Sequence, residues 1–153
     1  MPNATTARND GQACSSHYAG DLTPQEAWDL LAQNKNALLV DVRTLPEWQF
    51  IGLPKLADVG KKPLCLSWKY YPTFETNPQF ISQLSAEVQD KETPLLFLCR
   101  SGGRSLDAAI AATEAGYTTA YNISGGFEGD PDANGHRGTK GGWKAAQLPW
   151  EQN

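Results

Sequence analysis

Leu95-Leu96-Phe97-Leu98-Cys99-Arg100-Ser101-Gly102-Gly103-Arg104-Ser105 is the stretch on which the reading of this chain turns. An unbroken apolar run of strand length stops at a cysteine, two glycines turn the chain, and a helical pattern follows. A run apolar at every position, rather than alternately, suits a parallel strand covered on both faces. Cys99 is therefore expected where backbone N–H groups converge at a helix N-terminus, a place that favours negative charge. Arg100 and Arg104 add to that field, so the thiol should ionise more readily than a free cysteine and attack anionic substrates. The alternative is a buried strand cysteine before an ordinary β-to-α turn. Packing alone gives no reason for two arginines around a Gly-Gly turn, which favours the first reading.

Outward from that stretch, strands and helices alternate. Thr23-Pro24-Gln25-Glu26 reads as a helix start: Thr23 caps, Pro24 suits the first helical position, and Glu26 completes a capping box. Ala27, Leu30 and Leu31 form the inward face, and the Asn-rich stretch from Asn34 ends the helix. Ala37 to Val42 is a second continuous apolar strand, followed by a helical turn around Pro46 to Phe50. Leu64 to Trp68 is a further strand, Asn77-Pro78 opens a helix with Phe80, Ile81, Leu84 and Val88 at helical spacing, and Arg104 to Ala115 follows the cysteine. Gly116 closes that helix, and Ala120 to Ile123 is a last strand that Gly125-Gly126 turns outward. Such alternation predicts an α/β fold with a central, mostly parallel sheet of about five strands and helices on both faces. In such sheets sites form beyond the carboxyl ends of strands, which fits Asp41 as well as Cys99.

The chain has 153 residues, enough for one domain with a proper core. Residues 1–17 read as a disordered tail, residues 18–153 as the domain, and residues 129–153 as a C-terminal extension packed on it. A net charge of −4 argues against nucleic-acid binding, and no stretch approaches the length that spans a bilayer. Cys14, Cys65 and Cys99 form no C-x-x-C pair and are odd in number. That is no disulfide framework and no zinc site, and it fits a reducing compartment. With no apolar stretch in the first seventeen residues to serve as a secretory signal, a cytoplasmic protein is expected, and separately a monomer. Cys14 could resolve an oxidised Cys99, but tail cysteines usually have no such role.

Three segments together resemble the rhodanese (sulfurtransferase) family. They are Asp41-Val42-Arg43 with Glu47-Trp48-Gln49-Phe50-Ile51-Gly52, the loop Cys99 to Ser105, and Asn122-Ile123-Ser124-Gly125-Gly126-Phe127. The resemblance implies a single rhodanese-like domain without a cofactor. It implies a Cys99 thiolate that takes the outer sulfur of a donor such as thiosulfate, holds it as a persulfide, and passes it to a thiol, cyanide or protein acceptor. Arg100, Ser101, Gly102, Gly103, Arg104 and Ser105 would form the anion-binding loop. Leu53 stands where many members have a histidine, which affects polar contacts there but not the cysteine chemistry.

Other features rank below this one. Arg43 and Glu47 are spaced to pair across the short turn, and Asp41 with Arg43 is expected to support the cysteine loop from the neighbouring strand. Trp68 is a candidate wall of the pocket above Cys99, against the plainer reading that it joins Tyr70, Tyr71 and Phe74 in covering the sheet. His17 and His136 are not needed as bases. Asp130-Pro131-Asp132-Ala133-Asn134-Gly135 resembles the front of a calcium loop, but Gly141 stands where the closing Glu belongs, so a turn is expected and no metal. A cysteine phosphatase or arsenate reductase is the nearest rival enzyme. Such phosphatases use C-x5-R, whereas Cys99 to Arg104 is C-x4-R. One residue fewer shortens the loop by up to about 3.3–3.6 Å, and no acid within Ser101 to Ser105 could protonate a leaving group. An interaction module that has lost catalysis is the remaining alternative, although such a module would be expected to lack the nucleophile.

Overall fold

The structure, a computed structural model, describes residues 17–152; Cys14 and most of the N-terminal tail lie outside the described residues. The chain runs β1 (Gly20–Leu22), α1 (Pro24–Gln33), β2 (Leu38–Asp41), β3 (Leu53–Pro54), β4 (Leu64–Cys65), β5 (Lys69–Tyr70) and β6 (Glu75–Thr76). It continues through α2 (Phe80–Glu87), β7 (Leu95–Leu98), α3 (Gly103–Glu114), β8 (Ala120–Ile123), α4 (Gly142–Ala145) and β9 (Trp150–Glu151). Five strands form one sheet in the order β1-β8-β7-β2-β4, and every pairing in it is parallel. The expected α/β architecture is therefore present, with β7 at the centre.

Side-chain parity divides the sheet into two faces. Val40, Val42, Leu95, Phe97 and Cys99 pack with Phe80 and Leu84 of α2 and Ala108, Ala109 and Ala112 of α3. Leu39, Leu96, Leu98 and Ile123 point the other way, onto Ala27 and Leu31 of α1 and Trp143 of α4. Alternate residues of a strand face opposite sides, so runs apolar at every position are what a twice-covered sheet needs. The small residues of α3 let that helix lie close to β7, whose four residues are all buried.

The start of α1 is as expected: the Thr23 hydroxyl accepts from Glu26 N–H, and Glu26 returns the bond to Thr23 N–H. Two elements differ from the sequence reading. The strand expected over 64–68 pairs in register only at Leu64 and Cys65, after which Leu66 N–H and Trp68 N–H still reach the carbonyls of Asp41 and Val42. Helix α2 begins at Phe80, because Asn77 is occupied in holding the preceding turn: its Oδ1 accepts from Gln79 N–H and its Nδ2 donates to the Ser67 carbonyl.

Beyond β8 the chain does more than turn outward. Gly125 and Gly126 take left-handed backbone angles and carry the chain back across the carboxyl end of β7. The segment then buries Trp143, whose indole N–H donates to the Pro149 carbonyl at 2.8 Å, and ends by pairing β9 antiparallel to β3. In the 130–139 loop the Asp132 carboxylate accepts from Asn134 N–H, His136 N–H and the Thr139 hydroxyl. The loop is thus closed by its own backbone, as a turn.

Candidate active site around Cys99

Cys99 follows the last residue of β7, and its side chain keeps the parity of Leu95 and Phe97. The residue is only 1 % exposed. The loop Arg100 to Gly102 reverses the chain, with Gly102 at φ 118°, a conformation open mainly to glycine. Gly103 has no such need: its φ is ordinary and nothing crowds its α-carbon. Helix α3 starts there, and the turn brings Gly102 N–H to the Cys99 sulfur at 3.1 Å. The Ser105 hydroxyl, one turn into the helix, lies 3.2 Å from the same sulfur. Amides of a first helical turn lack intrahelical acceptors, so this end of α3 is electropositive.

The carbonyl side of the loop is held by the third sequence motif. Phe127 N–H donates to the Cys99 carbonyl at 2.8 Å, and Glu128 and Gly129 N–H both donate to the Arg100 carbonyl. Gly126 is packed so tightly beneath the loop that a Cβ there would lie 2.5 Å from the Cys99 carbonyl oxygen. The pattern of Asn122 to Phe127 does not by itself reveal a task for the segment. Its task is to support the cysteine loop from below.

The two arginines of the loop differ. Arg104 forms a two-bond pair with Glu47, at 2.8 and 3.0 Å, and its guanidinium lies 5.9 Å from the Phe74 ring. Burial alone would raise the Glu47 carboxyl, but bonds from Arg104 and Thr44 outweigh it and hold the group below its ordinary value. Burial likewise pulls Arg104 down, and Glu47, Cys99 and Asp41 outweigh it, so Arg104 is firmly cationic. Arg100 is exposed to solvent.

The expected pairing of Arg43 with Glu47 does not occur. Arg43 is fully buried and bonds both oxygens of Asp41, at 2.9 and 2.7 Å, while Glu47 turns to Arg104. Two buried charges two residues apart in the chain satisfy each other locally, and Glu47 faces the more exposed cation of α3. Arg43 also donates to the Gly52 carbonyl and stacks 4.4 Å over the Phe127 ring. Since Phe127 holds the Cys99 carbonyl, the Asp41–Arg43 pair lies one residue removed from the cysteine loop.

Trp68 packs edge-on against Phe80 at 5.1 Å between ring centres, within the apolar layer that also holds Cys99. Leu53 lies in β3, opposite Glu151. His136 is exposed in the 130–139 loop, and His17 is exposed ahead of β1. Among the described residues no cluster of His, Cys, Asp and Glu is placed to hold a metal, and no helix is long and apolar enough to cross a membrane. One residue near the site had no signal in the sequence: Asp21 of β1, whose carboxylate accepts from Asn122 Nδ2 at 3.1 Å, while Asn122, the first residue of the third motif, accepts at Oδ1 from the Ser105 hydroxyl at 2.6 Å.

Residues 20–153 match the STR4 middle domain family. A crystal structure of Rv0390 from M. tuberculosis is 47 % identical, with a TM-score of 0.83 over 90 % of this chain and 100 % of that one. An uncharacterized protein of Rickettsia rickettsii is 44 % identical over 126 residues, 82 % of this chain and 92 % of its own. The thiosulfate sulfurtransferase GlpE of Actinobacillus succinogenes is 27 % identical over 131 residues, 86 % of this chain and 89 % of its own. With its cysteine loop at the carboxyl end of a central parallel strand and a matched length from β1 onward, the chain belongs to the STR4 middle-domain family and is rhodanese-like.

Proposed function

We propose that this protein is a sulfurtransferase that moves a sulfane sulfur from a small anionic donor, thiosulfate being the simplest, to a thiophilic acceptor through a Cys99 persulfide. The Cys99 thiolate attacks the outer sulfur, the donor's S–S bond breaks, and sulfite leaves with the bonding electron pair. An acceptor thiolate or cyanide then attacks the outer sulfur of the persulfide, and the Cys99 thiolate is regenerated.

The observation that carries this reading is the sulfur's setting: a buried Cys99 that receives Gly102 N–H at 3.1 Å at the head of α3. A fixed amide donor needs no rearrangement as charge develops on sulfur. So little exposure admits a slender terminal atom more readily than a tetrahedral phosphoryl group. Arg104 is engaged by Glu47 rather than free to clamp a phosphate, which further favours sulfur over phosphoryl chemistry. Donor capture then falls to Arg100 and the loop amides of Ser101 to Ser105, with Trp68 as a wall for the acceptor. Asp41 and Arg43 act through Phe127 on the shape of the loop.

Intact-protein mass spectrometry after incubation with thiosulfate tests the proposal. A gain of one sulfur atom is expected, reversed by cyanide and absent in Cys99→Ser. No adduct with thiosulfate, mercaptopyruvate or polysulfide in a folded protein would overturn it and point to an interaction module.

A further inference from the structure

A chain of polar contacts leaves the active-site sulfur and crosses three structural elements. Cys99 Sγ lies 3.2 Å from Ser105 Oγ, and Ser105 Oγ lies 2.6 Å from Asn122 Oδ1. Asn122 Nδ2 is 3.1 Å from Asp21 Oδ1, which also accepts from the Tyr18 hydroxyl at 2.9 Å. Ser105 and Asn122 are buried, at 0 % and 5 % exposure, so water is poorly placed to replace a lost partner.

The direction of each bond follows from what each group can offer. An ionised carboxylate only accepts, so Asn122 must present its NH2 to Asp21. That leaves its carbonyl facing Ser105, and two acceptors cannot share a 2.6 Å contact. Ser105 therefore spends its single hydroxyl proton on Asn122. Toward Cys99 it has only lone pairs, which suit a thiol S–H donor and repel a thiolate. We propose that Asp21 is a positioning residue for Cys99: through Asn122 it fixes the Ser105 hydroxyl so that thiolate formation must break the Ser105–Asn122 bond.

When the Cys99 proton leaves to water in the wild-type protein, Ser105 turns its hydroxyl to the sulfur anion and Asn122 Oδ1 loses its donor. Without the Asp21 carboxylate, Asn122 is free to turn over. Its NH2 then donates to Ser105 Oγ, and Ser105 donates to the thiolate with nothing lost. Asp21 opposes Gly102 N–H, which favours the anion. Among the described residues, Arg104 of α3 interacts with Cys99 and is paired with Glu47, Arg100 adjoins Cys99 in the loop, and Asp41 at the end of β2 pairs with Arg43. The α2 side offers apolar Phe80 and Leu84. Substitution at Asp21 leaves all of these in place.

This inference takes Cys99 as the reacting group, but its test needs no sulfur donor, so it stands or falls apart from the transfer reaction. The rate of iodoacetamide labelling at Cys99, resolved by peptide, is measured against pH for wild type, Asp21→Ala, Asp21→Asn, Ser105→Ala and the Asp21→Ala/Ser105→Ala double variant. The midpoint is expected to move down by about one pH unit in Asp21→Ala, the size of one hydrogen bond gained by the anion. Asp21→Asn can turn either its oxygen or its NH2 to Asn122 and so holds Asn122 less firmly, and its midpoint should fall between those of wild type and Asp21→Ala. In the Ser105→Ala background Asp21→Ala should move nothing. An unmoved Asp21→Ala midpoint, an equal shift in Asp21→Asn, or a shift that persists without Ser105 would each overturn the proposal. Far-UV circular dichroism checks the fold, and Asp21→Val, which also lacks the acceptor but favours a strand, replaces Asp21→Ala if the alanine variant unfolds.

Discussion

Two cysteines stand at the carboxyl ends of two strands of the same parallel sheet, and their surroundings are opposite. Cys99 directly follows β7 at the centre; its chain turns on Gly102 into α3, and an amide points at the sulfur. Cys65 ends β4 at the edge; its chain continues extended to Trp68, and no helix starts beside it. Parity separates them further. Leu64 and Leu66 face the layer that holds Cys99, so Cys65 faces the other side. Although the residue reaches the surface, loss of water around its thiol, reinforced by Asp41 and only partly offset by Arg43, pushes it up to about 12. The end of a parallel strand is thus a place where a site can form. What forms there depends on the next four residues and on which face the side chain takes.

That contrast can be broken chemically. At neutral pH a thiol pushed up to about 12 has roughly one molecule in 10⁵ ionised. Brief iodoacetamide treatment, read by peptide mapping, should therefore leave Cys65 slow to react despite its exposure, and slower than Cys99. Equal rates would mean that the strand ends are chemically alike. Next in size is the support beneath the loop. Gly126 sits at φ 62° with the backbone of Cys99 and Arg100 within 2.6 Å of a Cβ, so Gly126→Ala must push the cysteine loop away. A stability loss of about 3 kcal/mol by denaturant titration and near-complete loss of sulfur transfer are expected. Gly103→Ala, at the other glycine of the loop, has open space and should remain folded, which sharpens the distinction between support and turn.

A smaller effect is expected at Glu47, which ties the turn before β3 to α3. Glu47→Gln keeps the shape and removes the charge, with an expected cost of about 1–2 kcal/mol at neutral pH. Because the folded Glu47 carboxyl is held below the ordinary carboxyl value of 4.5, its contribution is fully present above that pH and is lost as pH falls through the folded-state value. Wild-type stability should therefore fall more steeply than that of Glu47→Gln on acidification below about 4.5, read as denaturation midpoints at successive pH values. The smallest change belongs to the other strand end: Cys65→Ala should leave transfer unaltered and shift stability by less than about 0.5 kcal/mol.

Local pattern carried the α/β architecture, the placement of α1 and α3, and the position of Cys99 at the head of a helix. Thr23, Pro24 and Glu26 define the start of α1 by bonds within one turn, and apolar runs at every position imply a sheet covered twice. These are matters of adjacent residues, so a single sequence is enough to read them. Partner choice among charges was not legible. Arg43 and Glu47 have the spacing of a pair, yet Arg43 takes Asp41 and Glu47 takes Arg104, 57 residues further on.

The sequence by itself determined that a cysteine would end a strand, turn on the glycine pair and meet the start of a helix, because each of those steps involves neighbours in the chain. Only the tertiary structure decided that Phe127 would hold the Cys99 carbonyl, that Glu47 would occupy Arg104, and that Asp21, 101 residues from Asn122, would bond the amide that faces Ser105. The order of strands brings β1, β8 and β7 side by side, and hydrogen bonds between side chains depend on that proximity rather than on separation along the chain.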